Sequence, residues 1–135
     1  MIFPLSAIVL LVFSCQTNPI KSKIQTYELG QPFELKVGQT ALIKGENLKI
    51  TFQTVEDYRC CMVCYCLWQG NAVVGLRVAA PARMLQTIGL NTDLEPKEVA
   101  WSGYKIKLNS LAPYPQDPPP LPTEVYVASL VVTKQ

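Results

Sequence analysis

Four cysteines lie within seven positions of the segment RCCMVCYCLW, which spans residues 59–68. They are Cys60, Cys61, Cys64 and Cys66. Thiols this close together can form disulfides, bind a soft metal ion or act as a redox pair. The compartment decides among these chemistries, because paired thiols oxidise outside the reducing cytosol.

A metal site and a redox centre receive less support from the residues than disulfides do. Structural zinc sites usually draw two ligand pairs from separate turns, whereas these thiols share one short segment and the chain has no histidine. Redox Cys-x-x-Cys pairs place the first cysteine at a helix N-terminus, but the residues around Cys61 and Cys64 indicate strand and turn. We predict two disulfides, no metal and no cofactor, with copper or zinc binding or redox activity as the alternative.

Other catalytic groups are scarce. The lack of histidine removes the commonest general base and the usual partner of a nucleophilic serine or cysteine. The Gly-x-Ser-x-Gly, His-Glu-x-x-His and phosphate-loop motifs are absent from the sequence. Glu56 and Asp57 are adjacent, and neighbours on a strand point to opposite faces. A local salt bridge or turn near Arg59 therefore explains them better than acid–base catalysis, and we predict that the protein is not an enzyme.

The N-terminus indicates where the cysteines would oxidise. Residues 2–13 form an almost unbroken apolar run. It is too short for a bilayer, which takes roughly 20 residues, but it has the length of a signal-peptide core. The run ends in VFSC, residues 12–15, which resembles a bacterial lipobox. The resemblance implies a signal peptide over residues 1–14 and a lipid on Cys15, with an ordinary signal peptide or a buried strand as the alternative.

Polar residues follow the predicted anchor. Residues 15–26 include Asn18-Pro19 and two lysines and are typical of a flexible tether. We predict an anchor in the outer membrane of a bacterial envelope. No acidic cluster follows Cys15, which in that membrane favours a domain that faces the periplasm. The net charge of +2 is too small to indicate a nucleic-acid partner. Residues 27–135 have the size of a single domain with one core.

Apolar and polar residues alternate through much of this domain, most strictly in residues 33–37, 48–53 and 104–108. A period of two places one face of a strand in a core and the other in water. Residues 125–132 are apolar on both faces, as expected of a central strand. Only residues 82–90 approach a helical period, and Pro81 and Gly89 limit them to a turn or two. About seven short strands separated by glycine and proline predict an all-β fold.

The strand pattern favours an antiparallel β-sandwich, loosely immunoglobulin-like, with a small β-barrel as the alternative. Trp68 follows Cys66 by two residues, so a continuing strand would pack both on the same face of the core. Trp101 lies near a turn and is expected in the core or at its rim.

Four clustered cysteines allow three pairings. A bond between the neighbours Cys60 and Cys61 is strained. Two nested bonds, Cys60 to Cys66 and Cys61 to Cys64, would close across one turn, whose ends approach within about 7 Å. That distance is near the outer limit of disulfide reach, so local geometry permits the nested pairing without requiring it.

The motif EDYRC of residues 56–60, followed by CLWQGNA of residues 66–72, resembles that of a family of small uncharacterised bacterial lipoproteins. The shared pattern is E-D-x-R-C-x5-C-x-W-x-G-N-A, and later segments of the domain fit the family too. The resemblance implies a secreted β-domain with a Cys60–Cys66 disulfide and no established activity. Tyr58 and Cys61 replace a serine and a proline of the family pattern, and Cys64 is additional. Cys61 and Cys64 would then pair with each other.

A proline-rich segment, residues 113–122, links two predicted strands. Six prolines in ten residues favour an extended conformation with little entropy left to lose, which suits capture by a partner. A stiff crossover between strands is the simpler interpretation. The candidate binding residues are Tyr114, Pro115, Gln116, Asp117, Pro118, Pro119, Pro120 and Leu121.

Together these features predict a non-catalytic envelope domain that is held at the membrane through a lipid on Cys15. Its partner would be an unknown protein or small molecule that it binds or scaffolds. An inhibitor or adhesion module acting through the proline-rich segment is a second alternative.

Overall fold

The computed structural model of the protein describes residues 24–135. The predicted signal peptide, the lipid site at Cys15 and most of the predicted tether lie outside the described residues. The first strand begins at Ile24. The sheet therefore includes three residues, Ile24 to Thr26, that the sequence pattern assigned to the tether.

The described part of the chain is all-β, as predicted, and it contains nine strands rather than about seven. Four of the nine, β1, β2, β3 and β7, have only four residues each, which makes short strands easy to undercount from the sequence. The strands are β1 (Ile24–Tyr27), β2 (Phe33–Lys36), β3 (Thr40–Ile43), β4 (Leu48–Asp57), β5 (Ala72–Ala80), β6 (Arg83–Asn91), β7 (Glu98–Trp101), β8 (Tyr104–Ala112) and β9 (Val127–Lys134).

The strands form two sheets, so the sandwich is confirmed and the closed barrel is not. The larger sheet has the order β1-β3-β4-β5-β6, and the smaller has the order β2-β9-β8-β7. Among the described strands, β1 alone pairs in parallel, with Ile24 opposite Thr40 of β3. The apolar strand β9 lies between β2 and β8, in the central position that its sequence predicts.

The core lies between the two sheets and consists of their inward side chains. In β4, Ile50 and Phe52 are fully buried while Lys49 beside them is exposed. This is the pattern that the period of two predicts. From the smaller sheet, Ile106 and Leu130 complete the same core.

Trp101 is buried at the edge of the sandwich, within the range of its prediction. Its indole N–H donates to the side-chain oxygen of Gln86 at 2.9 Å. The Arg83 guanidinium lies 5.5 Å from the centre of its ring. These contacts connect β7 of the smaller sheet to β6 of the larger.

Residues 83–91 form an edge strand, so the prediction of at most a turn or two of helix at residues 82–90 was wrong. Strand β6 pairs with β5, with Ile88 opposite Leu76. Only Ile88 and Leu90 of β6 are buried. The first five residues of the strand are all exposed, so they show no alternation of burial.

The two longest connections meet at one end of the sandwich. Residues 58–71 join β4 to β5, and we call them the cysteine loop. Residues 113–122, the proline-rich loop, lead through a 3-10 turn at Thr123–Val125 into β9. We call the two loops together the apex. The opposite end has tight turns such as the one at Gly45, whose φ of 77° suits glycine.

Within residues 24–135, no helix has the length and apolar character needed to cross a bilayer.

Candidate functional site: the apex

Two disulfides close the cysteine loop. Cys60 is joined to Cys66, with their Cα atoms 6.0 Å apart, and Cys61 is joined to Cys64, with theirs 5.0 Å apart. Both separations lie in the range of about 4.4–6.8 Å that disulfides span. The backbone N–H of Cys64 donates to the carbonyl of Cys61 at 3.1 Å, so a turn brings the inner pair together. The four cysteines therefore form two nested rings.

The base of the cysteine loop continues the pairing of β4 with β5. The backbone N–H of Tyr58 donates to the carbonyl of Asn71 at 2.9 Å, and that of Cys60 donates to Gln69 at 2.8 Å. Gly70 adopts φ 77° between these bonds. A Cβ atom there would overlap the carbonyl oxygen of Tyr58 and lie 2.8 Å from the Cα of Arg59. Only glycine fits where residue 70 approaches the backbone of Tyr58 and Arg59 this closely.

A buried ion pair lies beneath the cysteine loop. The Arg59 guanidinium donates from Nε to Asp57 Oδ1 at 2.8 Å and from Nη2 to Asp57 Oδ2 at 2.9 Å. The side chain of Asp57 is fully buried, and that of Arg59 is 4% exposed. The predicted salt bridge is confirmed for Asp57. Glu56 lies on the opposite, exposed face of β4, as alternation requires.

The same ion pair fastens the proline-rich loop. Arg59 Nη1 donates to the carbonyl of Leu111 at 2.8 Å, and Nη2 donates to that of Pro113 at 2.9 Å. The hydroxyl of the buried Tyr126 donates to Asp57 Oδ2 at 2.9 Å. That hydroxyl also accepts the backbone N–H of Leu121 at 2.8 Å. We call Asp57, Arg59 and Tyr126 the polar hub.

Further bonds join the two loops directly. The Met62 N–H donates to the carbonyl of Pro115 at 3.0 Å, and the Tyr114 hydroxyl donates to the carbonyl of Cys60. The Arg59 guanidinium lies 5.2 Å from the centre of the Tyr114 ring. The apex is therefore one cross-linked unit rather than two independent loops.

The polar hub should make the stability of the fold depend on pH in the acidic range, because it contains the carboxylate of Asp57. Burial alone would raise the pKa of Asp57, but hydrogen bonds from Arg59 and Tyr126 outweigh it and hold that pKa below its ordinary value. The resulting stability is complete above the unfolded pKa of about 3.9 and is lost as the pH falls through the lowered folded pKa. We expect urea titrations to show a loss below about pH 4 that Asp57→Asn flattens. An equally steep loss in Asp57→Asn would contradict the assignment.

The cysteine loop exposes an unusual number of large apolar side chains. Tyr65 and Leu67 are fully exposed and Trp68 is 56% exposed. The complete set is Tyr58, Met62, Val63, Tyr65, Leu67 and Trp68. The prediction that Trp68 packs on the disulfide in the core was wrong. It assumed that strand continues past Cys66, whereas β5 begins only at Ala72.

The predicted binding loop is partly scaffold. Pro115 is buried, and Leu121 is half-buried against the core. Pro119 is half-buried and faces the cysteine loop across a cleft of about 460 Å³. The remaining predicted residues are exposed: Tyr114, Gln116, Asp117, Pro118 and Pro120. The structure thus brings the cysteines and the proline-rich loop together, which their sequence separation concealed.

Another cleft, of about 530 Å³, lies between the edges of β1 and β2. Some of the polar groups in its wall are already paired with each other. The hydroxyl of Tyr27 donates to Gln25 at 2.6 Å, and Gln39 accepts the N–H of Lys36 at 2.9 Å. These groups offer less to a ligand than the unpaired apolar side chains of the apex do.

Sequence reasoning missed the apolar surface, although a signal for it was present. The segment CCMVCYCLW, residues 60–68, contains no charged residue, and two disulfides close it into rings too small to have an interior. Large side chains on such rings can only point outward.

The nested disulfides can be counted by mass. Residues 16–135, exported to an oxidising compartment, should weigh four hydrogens less than the reduced chain, because each disulfide forms with loss of two. Closing rings this small should contribute about 2 kcal/mol each to stability. Cys60→Ser with Cys66→Ser, and separately Cys61→Ser with Cys64→Ser, should lower the free energy of unfolding by that amount. Four free thiols with a bound metal ion would instead favour thiol chemistry.

Among residues 24–135, no group of three or more histidine, cysteine, aspartate or glutamate side chains is placed to hold a metal ion. No protein-family model, curated protein or solved structure matches the chain.

Proposed function

We propose that the protein is a non-catalytic binding domain of the bacterial cell envelope, anchored by a lipid on Cys15, and that the apex is its binding surface. The observation that carries this proposal is the exposure of six large apolar side chains on one short loop. Groups of exposed apolar side chains are uncommon on soluble domains and usually mark interaction sites.

The rigidity of the apex supports the same conclusion. Two disulfides and the polar hub hold the cysteine loop in one conformation before any partner arrives. Binding then costs little loop entropy, so more of the contact energy appears as affinity. Tyrosine and tryptophan, which dominate the energy of many interfaces, are both present on this loop.

The same observations give less support to the two alternatives, thiol-based metal or redox chemistry and an inhibitor or adhesion module. Redox Cys-x-x-Cys pairs commonly place the first cysteine at a helix N-terminus, which stabilises its thiolate, whereas Cys61 opens a turn between loop residues. An inhibitor or adhesion module would use the proline-rich loop. That loop is fastened to the cysteine loop through Pro115 and Tyr114, so it would present the same apex rather than a separate site.

Photo-crosslinking in cells tests the proposal. A photoreactive amino acid would replace Leu67 in the full-length protein, and in a matched control it would replace Met84. Met84 is also a large apolar side chain and is 90% exposed, but it lies at the opposite end of the sandwich. We expect adducts from position 67 and few from position 84. Equal yields at the two positions, or none at position 67, would refute the apex as the binding surface.

A further inference from the structure

The composition of the exposed loop restricts its partner. No charged residue occurs from Cys60 to Asn71. Of the exposed apolar side chains, three are aliphatic or thioether chains and three are aromatic rings that each carry a polar group. They are Met62, Val63 and Leu67, and Tyr58, Tyr65 and Trp68. Aliphatic chains favour hydrocarbon, and tyrosine and tryptophan favour the level of lipid headgroups.

The direction of β1 shows which end of this strand lies nearer the apex. Strand β3 runs antiparallel to β4, with Thr40 opposite Thr51. Strand β1 runs parallel to β3, with Ile24 opposite Thr40. Since β4 runs toward the apex, β1 runs away from it. Ile24, where β1 begins, is therefore the end of this strand that lies nearer the apex.

The chain from Cys15 to Ile24 is long enough to extend past the level of Asp57, where the apex begins. Ile24 is level with Thr51, six residues short of Asp57 at the end of β4, which is about 20 Å at 3.3 Å per residue. Nine Cα–Cα steps join Cys15 to Ile24, and they span up to about 30 Å when extended. A lipid on Cys15 can therefore lie in a membrane that faces the apex.

We infer that the cysteine loop inserts its exposed apolar side chains into the surface of the bilayer that holds the lipid anchor. The domain would then dock on its own membrane at two points, the lipid of Cys15 and the apex. This inference rests on the proposed function, because it names the partner of the apex as a lipid surface rather than a protein.

The insertion is shallow and does not depend on charge. The loop has irregular backbone, and backbone polar groups without partners are not carried into hydrocarbon. Only side chains such as Leu67 and Trp68 would enter, as far as the boundary between the headgroups and the acyl chains. The exposed part of the cysteine loop, residues 60–71, carries no charge, and Arg59 is buried against Asp57. Docking through this part should therefore be nearly independent of salt, unlike the binding of a basic patch to anionic lipid.

Quenching by brominated lipids tests the inference. The mature lipoprotein would be reconstituted into vesicles of phosphatidylethanolamine and phosphatidylglycerol with brominated acyl chains. Its two tryptophans give an internal comparison, since Trp68 lies on the inserted loop and Trp101 is buried. We expect quenching of Trp68 but not of Trp101, measured with Trp101→Phe and Trp68→Phe variants, and the same quenching at high salt.

Two matched variants complete the test. Leu67→Ser should lower the ratio of docked to undocked protein about tenfold, the effect of withdrawing one large apolar side chain from an apolar phase. Met84→Ser, at the opposite end, should leave it unchanged. Both residues are exposed, so neither change should affect folding. Unquenched Trp68, or equal quenching in wild type and Leu67→Ser, would overturn the inference.

The crosslinked product separates this inference from the proposed function. Lipid adducts at position 67 support both. Protein adducts at position 67, without lipid adducts, would refute membrane docking while retaining the apex as a binding surface. No adduct at position 67 would refute both.

Discussion

We expect Asp57→Ala to lower the free energy of unfolding by about 3–5 kcal/mol, because it leaves the Arg59 guanidinium buried without its carboxylate. Both side chains are at most 4% exposed, and Arg59 donates to both carboxylate oxygens. Tyr126 would lose its acceptor as well. Urea unfolding followed by circular dichroism measures the change.

Glu56→Ala is the matched control. It removes the neighbouring carboxylate, which is exposed on the other face of β4, and should change stability by less than about 0.5 kcal/mol. Tyr126→Phe gives a milder test in case Asp57→Ala does not fold. It deletes one hydroxyl with two hydrogen bonds and should reduce stability by about 1–3 kcal/mol. Similar effects at positions 56 and 57 would contradict the importance of the polar hub.

The second large effect is expected at Gly70. Alanine there would need a Cβ where the Tyr58 carbonyl and the Arg59 backbone already lie. Since the obstacle is backbone, the loop base must open, with a loss of about 3–4 kcal/mol, which is at the severe end for a single substitution. Urea unfolding measures the loss, and Trp68 fluorescence reports displacement of the loop.

Gly45→Ala provides the control for backbone conformation. Gly45 has the same φ of 77°, but nothing lies within 4 Å of the position that a Cβ atom would occupy there. Gly45→Ala should therefore lower the free energy of unfolding by roughly 1–2 kcal/mol, the cost of a Cβ atom on a left-handed backbone. If both glycines tolerate alanine equally, close approach at Gly70 is not the reason for its presence.

The sandwich could be predicted because its central strands bury alternate residues. Strand β4 shows this in Ile50 and Phe52, and β9 shows it in Leu130 and Val132, all of them fully buried. The short strand β1 and the edge strand β6 could not be predicted equally well. Ile24 of β1 is exposed, and β6 buries only Ile88 and Leu90, so neither strand has two full faces to display a period.

The candidate site was less predictable than the fold. The ion pair between Asp57 and Arg59 is local and could be inferred from their spacing. Its bonds to Leu111 and Pro113 span more than fifty residues, and no sequence pattern indicates them. The prediction for Trp68 was wrong because the environment of this side chain depends on where β5 begins. That strand begins only at Ala72, after Gly70.

The disulfides join residues that are close in sequence, whereas the contacts of Arg59 with Leu111 and Pro113 join distant ones. This difference also affects how the chain oxidises. The disulfide partners are six and three residues apart, so their thiols meet in the unfolded chain. The contacts of Arg59 with the end of β8 need both sheets assembled, and such distant contacts form late. Mispaired isomers of the cysteine loop can therefore arise first and be exchanged by free thiols. Docking against Tyr114 and Pro115 would then favour the nested isomer, and the proline-rich loop would serve as a template for oxidative folding.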